Sequence, residues 1–179
     1  GEFVLKRESK TVVLENGGNI SSSICMNKGL EIFINYGNDW DWHFHLPACF
    51  YELKKLKKIE LIRSDIDSIL PAIANLKDLN YLEISSQKLS YLPKEIGSCT
   101  SLDTLIITFS FDNQQSCDYL APLANLKHLE LCSNYIPKMP TLTSLDILCD
   151  SLPENLQFAV GLKYLDFKSP RIALFSPLR

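Results

Sequence analysis

Several things are scarce in this chain of 179 residues, and each shortage closes off a class of function. Glycine (7) and histidine (3) are few. There is no phosphate-cradling G-x-x-x-x-G-K-[ST], no G-x-S-x-G elbow and no H-E-x-x-H, so the usual nucleotide, hydrolase and zinc-protease sites have nothing to form on. No apolar run approaches the roughly 18 residues that cross a bilayer. The N-terminus lacks a basic segment leading into an apolar stretch and a small-residue cleavage site, and Gly1-Glu2-Phe3 reads as a remnant of cloning. A basic surplus is missing as well. With a net charge of −3 and a pI near 5.6, the chain has no general footprint for displacing counterions from phosphate, and a nucleic-acid partner is not expected.

Cysteine is present but unclustered: Cys25, Cys49, Cys99, Cys117, Cys132 and Cys149 stand singly, with no C-x-x-C pair. That distribution suits mostly buried thiols acting as small hydrophobes in a reducing compartment, hence a cytoplasmic placement. His43 and His45 lie two residues apart but have no third and fourth ligand nearby, and a zinc site needs them. The expectation is therefore no metal, no cofactor, no membrane and no enzyme activity.

What the chain does have is a repeat. Apolar residues recur with the spacing x-x-x of one, four and six at Leu56-Ile59-Leu61, Leu79-Leu82-Ile84, Leu102-Leu105-Ile107, Leu126-Leu129-Leu131, Leu142-Leu145-Ile147 and Leu162-Leu165-Phe167. Successive copies start 23, 23, 24, 16 and 20 residues apart. Two weaker copies precede them, with Val12 and Leu14 in one and Ile32 and Ile34 in the other taken as the inward pairs. Each copy is a short strand with alternate residues facing in. No coil buries its own apolar face, so about eight coils stack into a solenoid with one parallel sheet roughly 34 Å across.

The ninth position of each copy, where the chain turns inward, is Ser64, Gln87, Ser110, Asn134, Asp150 and Pro170. A polar side chain there satisfies backbone groups that the turn would bury. Pro170 has no such side chain, so the last coil is expected to be distorted or to form a cap. Proline opens the return segments "LPAIANLKDL" and "YLPKEIGSCTSL", which predicts short helices or single helical turns. After Met139-Pro140 the 16-residue step leaves room only for extended chain or a 3₁₀ turn, with a change of curvature.

The segment Leu89 to Leu102, "LSYLPKEIGSCTSL", resembles leucine-rich-repeat proteins of the intracellular kind found in plant immune receptors and in bacterial proteins, including effectors injected into host cells. The resemblance runs from Leu53 to Phe175. The shorter "MPTLTSLDILCDSLPENLQFAVGLKYLDF" is similar to the 20-residue bacterial effector repeat. It implies an α/β leucine-rich-repeat solenoid: a curved parallel sheet on the concave side, with short helices, 3₁₀ turns and loops on the convex side. The whole chain is one domain, irregular over residues 4–52, regular over 53–175, with a tail at 176–179. Some effectors of this kind carry a ubiquitin-ligase domain with a catalytic cysteine beside an acidic residue. Cys117-Asp118 and Cys149-Asp150 match that by letter only, and neither is read as catalytic.

The function implied is protein binding through the concave face, alone or as the recognition part of a larger enzyme or immune receptor. The residue between the inward pair is Glu60, Glu83, Ile106, Glu130, Asp146 and Asp166 in the six strong copies, an acidic line suited to a protein partner with a basic patch. The blander alternative is a merely solvated row, neutralised by Lys58, Arg63, His128 and Lys168. Ile62, Tyr81, Ile106, Phe109 and Tyr164 are the apolar candidates on the same face, with Tyr81, Ile106 and Phe109 as an anchor. Trp40 and Trp42, in an enlarged coil around "NDWDWHFHLPACFYEL", either form an interface hot spot or cover the open end of the core.

Overall fold

The computed structural model describes residues 9–15, 20–37, 45–64, 66–86, 88–89, 91–110, 117–149, 151–153 and 155–168. The side chains of Phe109 and Ser110 fall outside that description. Eight strands form one sheet: β1 (Thr11–Leu14), β2 (Ile32–Tyr36), β3 (Lys58–Ile62), β4 (Tyr81–Ile84), β5 (Thr104–Ser110), β6 (His128–Cys132), β7 (Ser144–Leu148) and β8 (Tyr164–Lys168). They pair in sequence order, every pair parallel.

The alternation of each strand sends one row of side chains into the core. Val12, Phe33, Ile59, Leu82, Leu105, Leu129, Leu145 and Leu165 are register partners from β1 to β8. All but Leu165 are buried. Behind them, Leu30, Leu56, Leu79, Leu102, Leu126 and Leu142 fill a second layer. Fully burying one such side chain contributes about 1.5–3 kcal/mol, and none of these leucines has cover without the coil beside it.

The return path is a single 3₁₀ turn in four successive coils: Ser22–Met26, Ala48–Glu52, Pro71–Asn75 and Lys94–Ser98. The third residue of each, Ile24, Phe50, Ile73 and Ile96, is buried and closes the core from the convex side. The Pro-initiated segments thus form single turns, as their composition predicts. After β6 the chain returns without helix over 133–139, and a shorter 3₁₀ turn, Leu156–Phe158, follows β7. The 16-residue step has the extended return that its length allows.

Three expectations need correction. The second coil is one residue out of the anticipated register: Phe33 and Asn35 point inward, while Ile32 and Ile34 lie on the open face, with Ile34 paired to Glu60. A one-residue shift exchanges the two faces of a strand. Phe33 packs edge-on against Phe50 at 5.0 Å between ring centroids, and that aromatic contact outweighs the placement of a polar Asn35 in the core.

The second correction concerns the inward turn. Ser64 is buried at its anticipated place, though its hydroxyl makes no hydrogen bond among the described residues; after β6 the buried residue is Ser133 and Asn134 is exposed, and after β4 Ser86 is buried. Ser86 Oγ donates to the Ile66 carbonyl at 2.7 Å and accepts from the Lys88 and Leu89 N–H groups. Ser133 Oγ accepts from Tyr135 N–H at 3.1 Å. The hydroxyl's short reach lets one atom serve several backbone groups within the bend. Gln87, Asp150 and Pro170 lie outside the described residues, as does the end of the chain after Lys168.

The third is the cysteines. Four are thiols, three of them buried as expected, but Cys25 and Cys49 form a disulfide between the first two convex turns, their Cα atoms 5.7 Å apart. The two residues flank Ile24 and Phe50, which stack in neighbouring coils. A stable disulfide is unusual in a reducing compartment, so the argument for one from unpaired cysteines loses its basis. The bond closes a loop with a sequence separation of 24; by chain entropy the Cys25→Ser/Cys49→Ser protein should be less stable by about 3 kcal/mol. Urea unfolding measures this. Alkylation of the unfolded, unreduced protein should label four thiols, and six after reduction; six before reduction would show that the pair is not bonded.

Candidate functional site: the concave face

The outward residues of the strands form three parallel rows. The central row runs Val13, Ile34, Glu60, Glu83, Ile106, Glu130, Asp146 and Asp166, each the register partner of the next. The five acidic residues singled out from the sequence are thus brought into one line. Strands stand about 4.8 Å apart, so neighbours in the line are in reach of each other's charge. Ile106 divides the line into a pair, Glu60 and Glu83, and a triplet, Glu130, Asp146 and Asp166.

The two blocks are neutralised unequally. Lys58 Nζ lies 2.7 Å from Glu60 Oε1 and 4.4 Å from the centre of the Tyr81 ring. The Tyr81 hydroxyl donates to Glu83 Oε2 at 2.7 Å. Burial, then the hydrogen bond to Glu83, then the charges of Glu83, Glu60 and Glu130 push the Tyr81 phenol well above its ordinary pKa. Glu60 and Glu83 are therefore tied down by residues of their own coil and the next. In the triplet, Lys168 Nζ pairs with Asp166 Oδ2 at 2.9 Å, and His128 stands two residues before Glu130 on β6 with a ring nitrogen 3.0 Å from Ser144 Oγ. The Glu130 carboxyl is raised above its usual range, first by burial and next by Asp146, with Lys168 and His128 acting against them. One Asp146 carboxylate oxygen is shielded from water and has no hydrogen-bond partner.

The apolar candidates are less of a unit. Tyr81 and Ile106 are diagonal neighbours, one strand and two positions apart, because Tyr81 pairs with Thr104 and Glu83 with Ile106. Both are half-buried. Phe109 sits beyond Ile107, where the β5–β6 register shifts, and its side chain is outside the described residues. Ile62 is half-buried beside Tyr36 in the next row, which is 42% exposed. Tyr164, at the far end on β8, is 55% exposed. Trp40 and Trp42 lie outside the described residues. Val13, Ile32, Ile34 and Tyr36 make the N-terminal end of the face more apolar than the sequence reading had it, a consequence of the corrected register.

Neither Cys-Asp pair offers a nucleophile of the usual kind. Cys117 is fully buried, and that burial pushes its thiol up from its ordinary value, against a hydrogen bond shared with Ser133. Reactive cysteines have lowered pKa values and partial exposure. Cys149 is buried too.

No protein-family model matches this sequence, and comparison with curated proteins finds no match. Solved structures do match. A leucine-rich-repeat protein of Leptospira interrogans superposes with a TM-score of 0.72 at 23% identity, over 84% of this chain and 41% of that one. The fold is that of a leucine-rich-repeat solenoid. An internalin, InlF of Listeria monocytogenes, superposes with a TM-score of 0.68 at 18% identity, over 88% of this chain and 47% of its own. This solenoid thus spans less than half the length of either, and at these identities the likeness is one of fold. Among the described residues no helix is long and apolar enough to cross a membrane.

The raised Glu130 carboxyl has a direct consequence for stability. The folded solenoid holds that proton more tightly than the unfolded chain does, so Glu130 adds stability below the ordinary carboxylate range and loses it as pH rises through the raised folded value. Glu130→Gln should therefore raise the urea midpoint at pH 7. The gain should vanish below about pH 4, where the carboxyl is protonated in both states. A midpoint that falls at pH 7 would mean that Asp146 and the burial cost are outweighed by Lys168 and His128.

Proposed function

We propose that this solenoid is a binding module whose concave face takes a protein partner bearing a basic patch. The observation that carries the reading is the central row, in which five carboxylates stand on consecutive or nearly consecutive strands. Like charges about 5 Å apart repel by somewhat under 1 kcal/mol in water, and an incoming Lys or Arg relieves that repulsion. The Lys58–Glu60 pair over Tyr81 supports the reading by analogy, since within this chain an ammonium is held by a carboxylate and an aromatic ring on the same face. Tyr81 and Ile106 would lie at the centre of the contact, with the acidic triplet on one side and the apolar Ile34 end on the other.

The Cys25–Cys49 bond favours an oxidising compartment for the module over the cytoplasm, and the reading of the chain as an effector working inside a host cell loses support accordingly. In the last described coil Leu165, in the inward row, is 40% exposed, and Val160 on its return path is 80% exposed.

Selection of displayed peptides on the immobilised protein tests the charge reading. The enriched sequences should be rich in Lys and Arg, and their affinity should fall as salt rises. Asp146→Lys and Glu83→Lys should each abolish the enrichment. Tyr81→Ala should weaken a selected peptide by about 30-fold, the scale of a hot spot of about 2 kcal/mol. Enrichment of neutral or acidic peptides, or basic peptides that bind Asp146→Lys equally well, would overturn the proposal.

A further inference from the structure

At the acidic triplet, whose carboxylates also belong to the row proposed to meet a basic partner, the strands bring a histidine and two carboxylates together. A ring nitrogen of His128, a carboxylate oxygen of Glu130 and one of Asp146 all lie within 4.8 Å of one another. We propose that His128, Glu130 and Asp146 form a binding site for a divalent transition-metal cation of the zinc class on the concave face. This inference stands independently of the partner assignment.

The donor set comes from the sheet. His128 and Glu130 alternate to the same face of β6, and Asp146 is the register partner of Glu130 on β7. One imidazole and two carboxylates are the borderline and hard donors that zinc and its neighbours accept. Zinc holds such donors at about 2.0–2.2 Å, so three around one ion stand roughly 3–4 Å apart. The present donors lie within 4.8 Å of one another, so binding an ion requires them to draw together to that size.

Two further observations point to a cation. One oxygen of Asp146 is sealed from water with no hydrogen-bond donor, a state that is costly for a carboxylate and that coordination would relieve. The His128 ring is held through Nδ1 by Ser144 Oγ at 3.0 Å. With Nδ1 as the donor, Nε2 is left to coordinate, the second-sphere arrangement that orients metal-bound histidines.

Lys168 is the competing charge. Its ammonium pairs with Asp166 at 2.9 Å and adds a favourable field at Glu130 and Asp146. Its side chain is 69% exposed, and a divalent ion brings twice its charge directly to the two carboxylates. With three protein donors, the remaining coordination positions would be filled by water.

The test is titration of the untagged, chelator-treated protein with cobalt(II) and zinc(II). One equivalent should bind. Cobalt should give ligand-field absorption without thiolate charge transfer, which separates this site from one built on Cys132 of the same strand. His128→Gln and Asp146→Asn should each remove the binding, with unchanged circular dichroism. Ser144→Ala should weaken it by about tenfold, the lower end for a supporting hydrogen bond. Because the chain has 3 histidines, proton NMR of the wild type provides a check that needs no variant: cobalt should shift or broaden the His128 ring signals first. Binding retained in His128→Gln, binding lost in Cys132→Ala, or first effects on His43 or His45 would each overturn the assignment.

Discussion

Everything in this protein depends on one packing constraint: the inward rows of each coil have no cover except the coils on either side. Val12 through Leu145 are each sealed by their register partners, and where the described partners end, at Leu165, the same row opens to solvent. A helix bundle or sandwich buries a residue against a separate layer. Here each strand buries its own row only by matching its neighbour's, so register is enforced at every step with a penalty of several apolar side chains for a slip. The backbone reinforces it: Asn80 N–H and Tyr81 N–H both donate to Lys57 O, and Asp103 N–H and Thr104 N–H to Asn80 O. The same junction recurs from coil to coil.

That constraint also explains which parts were legible from the sequence. The six strong coils could be read because leucine, isoleucine or, in the last, Phe167 at the first, fourth and sixth places is sufficient to mark an inward pair. The second coil could not. Ile32 and Ile34 are apolar on the open face and Asn35 is polar in the core, so the pattern there points the wrong way. Only the packing of Phe33 on Phe50, which needs both coils to be in place, sets it right. Cys25 and Cys49 were unreadable for a related reason. They flank Ile24 and Phe50 in convex turns whose stacking had to be known before a sequence separation of 24 looked like a short distance. The inward turn after β6 slipped by one residue because Ser133 sits beside the expected Asn134, and a spacing rule does not distinguish which of two polar neighbours is buried.

The candidate site divides in the same way. Which residues lie on the concave face follows from alternation alone, and Glu60, Glu83, Ile106, Glu130, Asp146 and Asp166 are where alternation puts them. What those side chains do to one another does not follow. The sequence treats Lys58 and Lys168 alike, as nearby cations. In the fold, Lys58 lies between Glu60 and the Tyr81 ring, while Lys168 faces three carboxylates from the edge of the row. The Tyr81–Glu83 hydrogen bond and the His128–Ser144 contact depend on rotamers that no repeat pattern encodes.

The convex side absorbs variation that the concave side never registers. Between the central row's register partners the chain travels 21, 26, 23, 23, 24, 16 and 20 residues, yet the next residue of the row arrives one strand over each time. The shortest path is the one that brings Asp146 beside Glu130. With the helical return omitted after β6, sixteen residues suffice to place a second carboxylate where a longer coil would also have put one. Return length can therefore change without moving any concave residue to a new row, and a substitution in the central row changes its charge without altering how the coils stack. In this solenoid the chemistry of the concave face is carried by single residues at known positions, and at Glu130 burial and the like charge of Asp146 coincide.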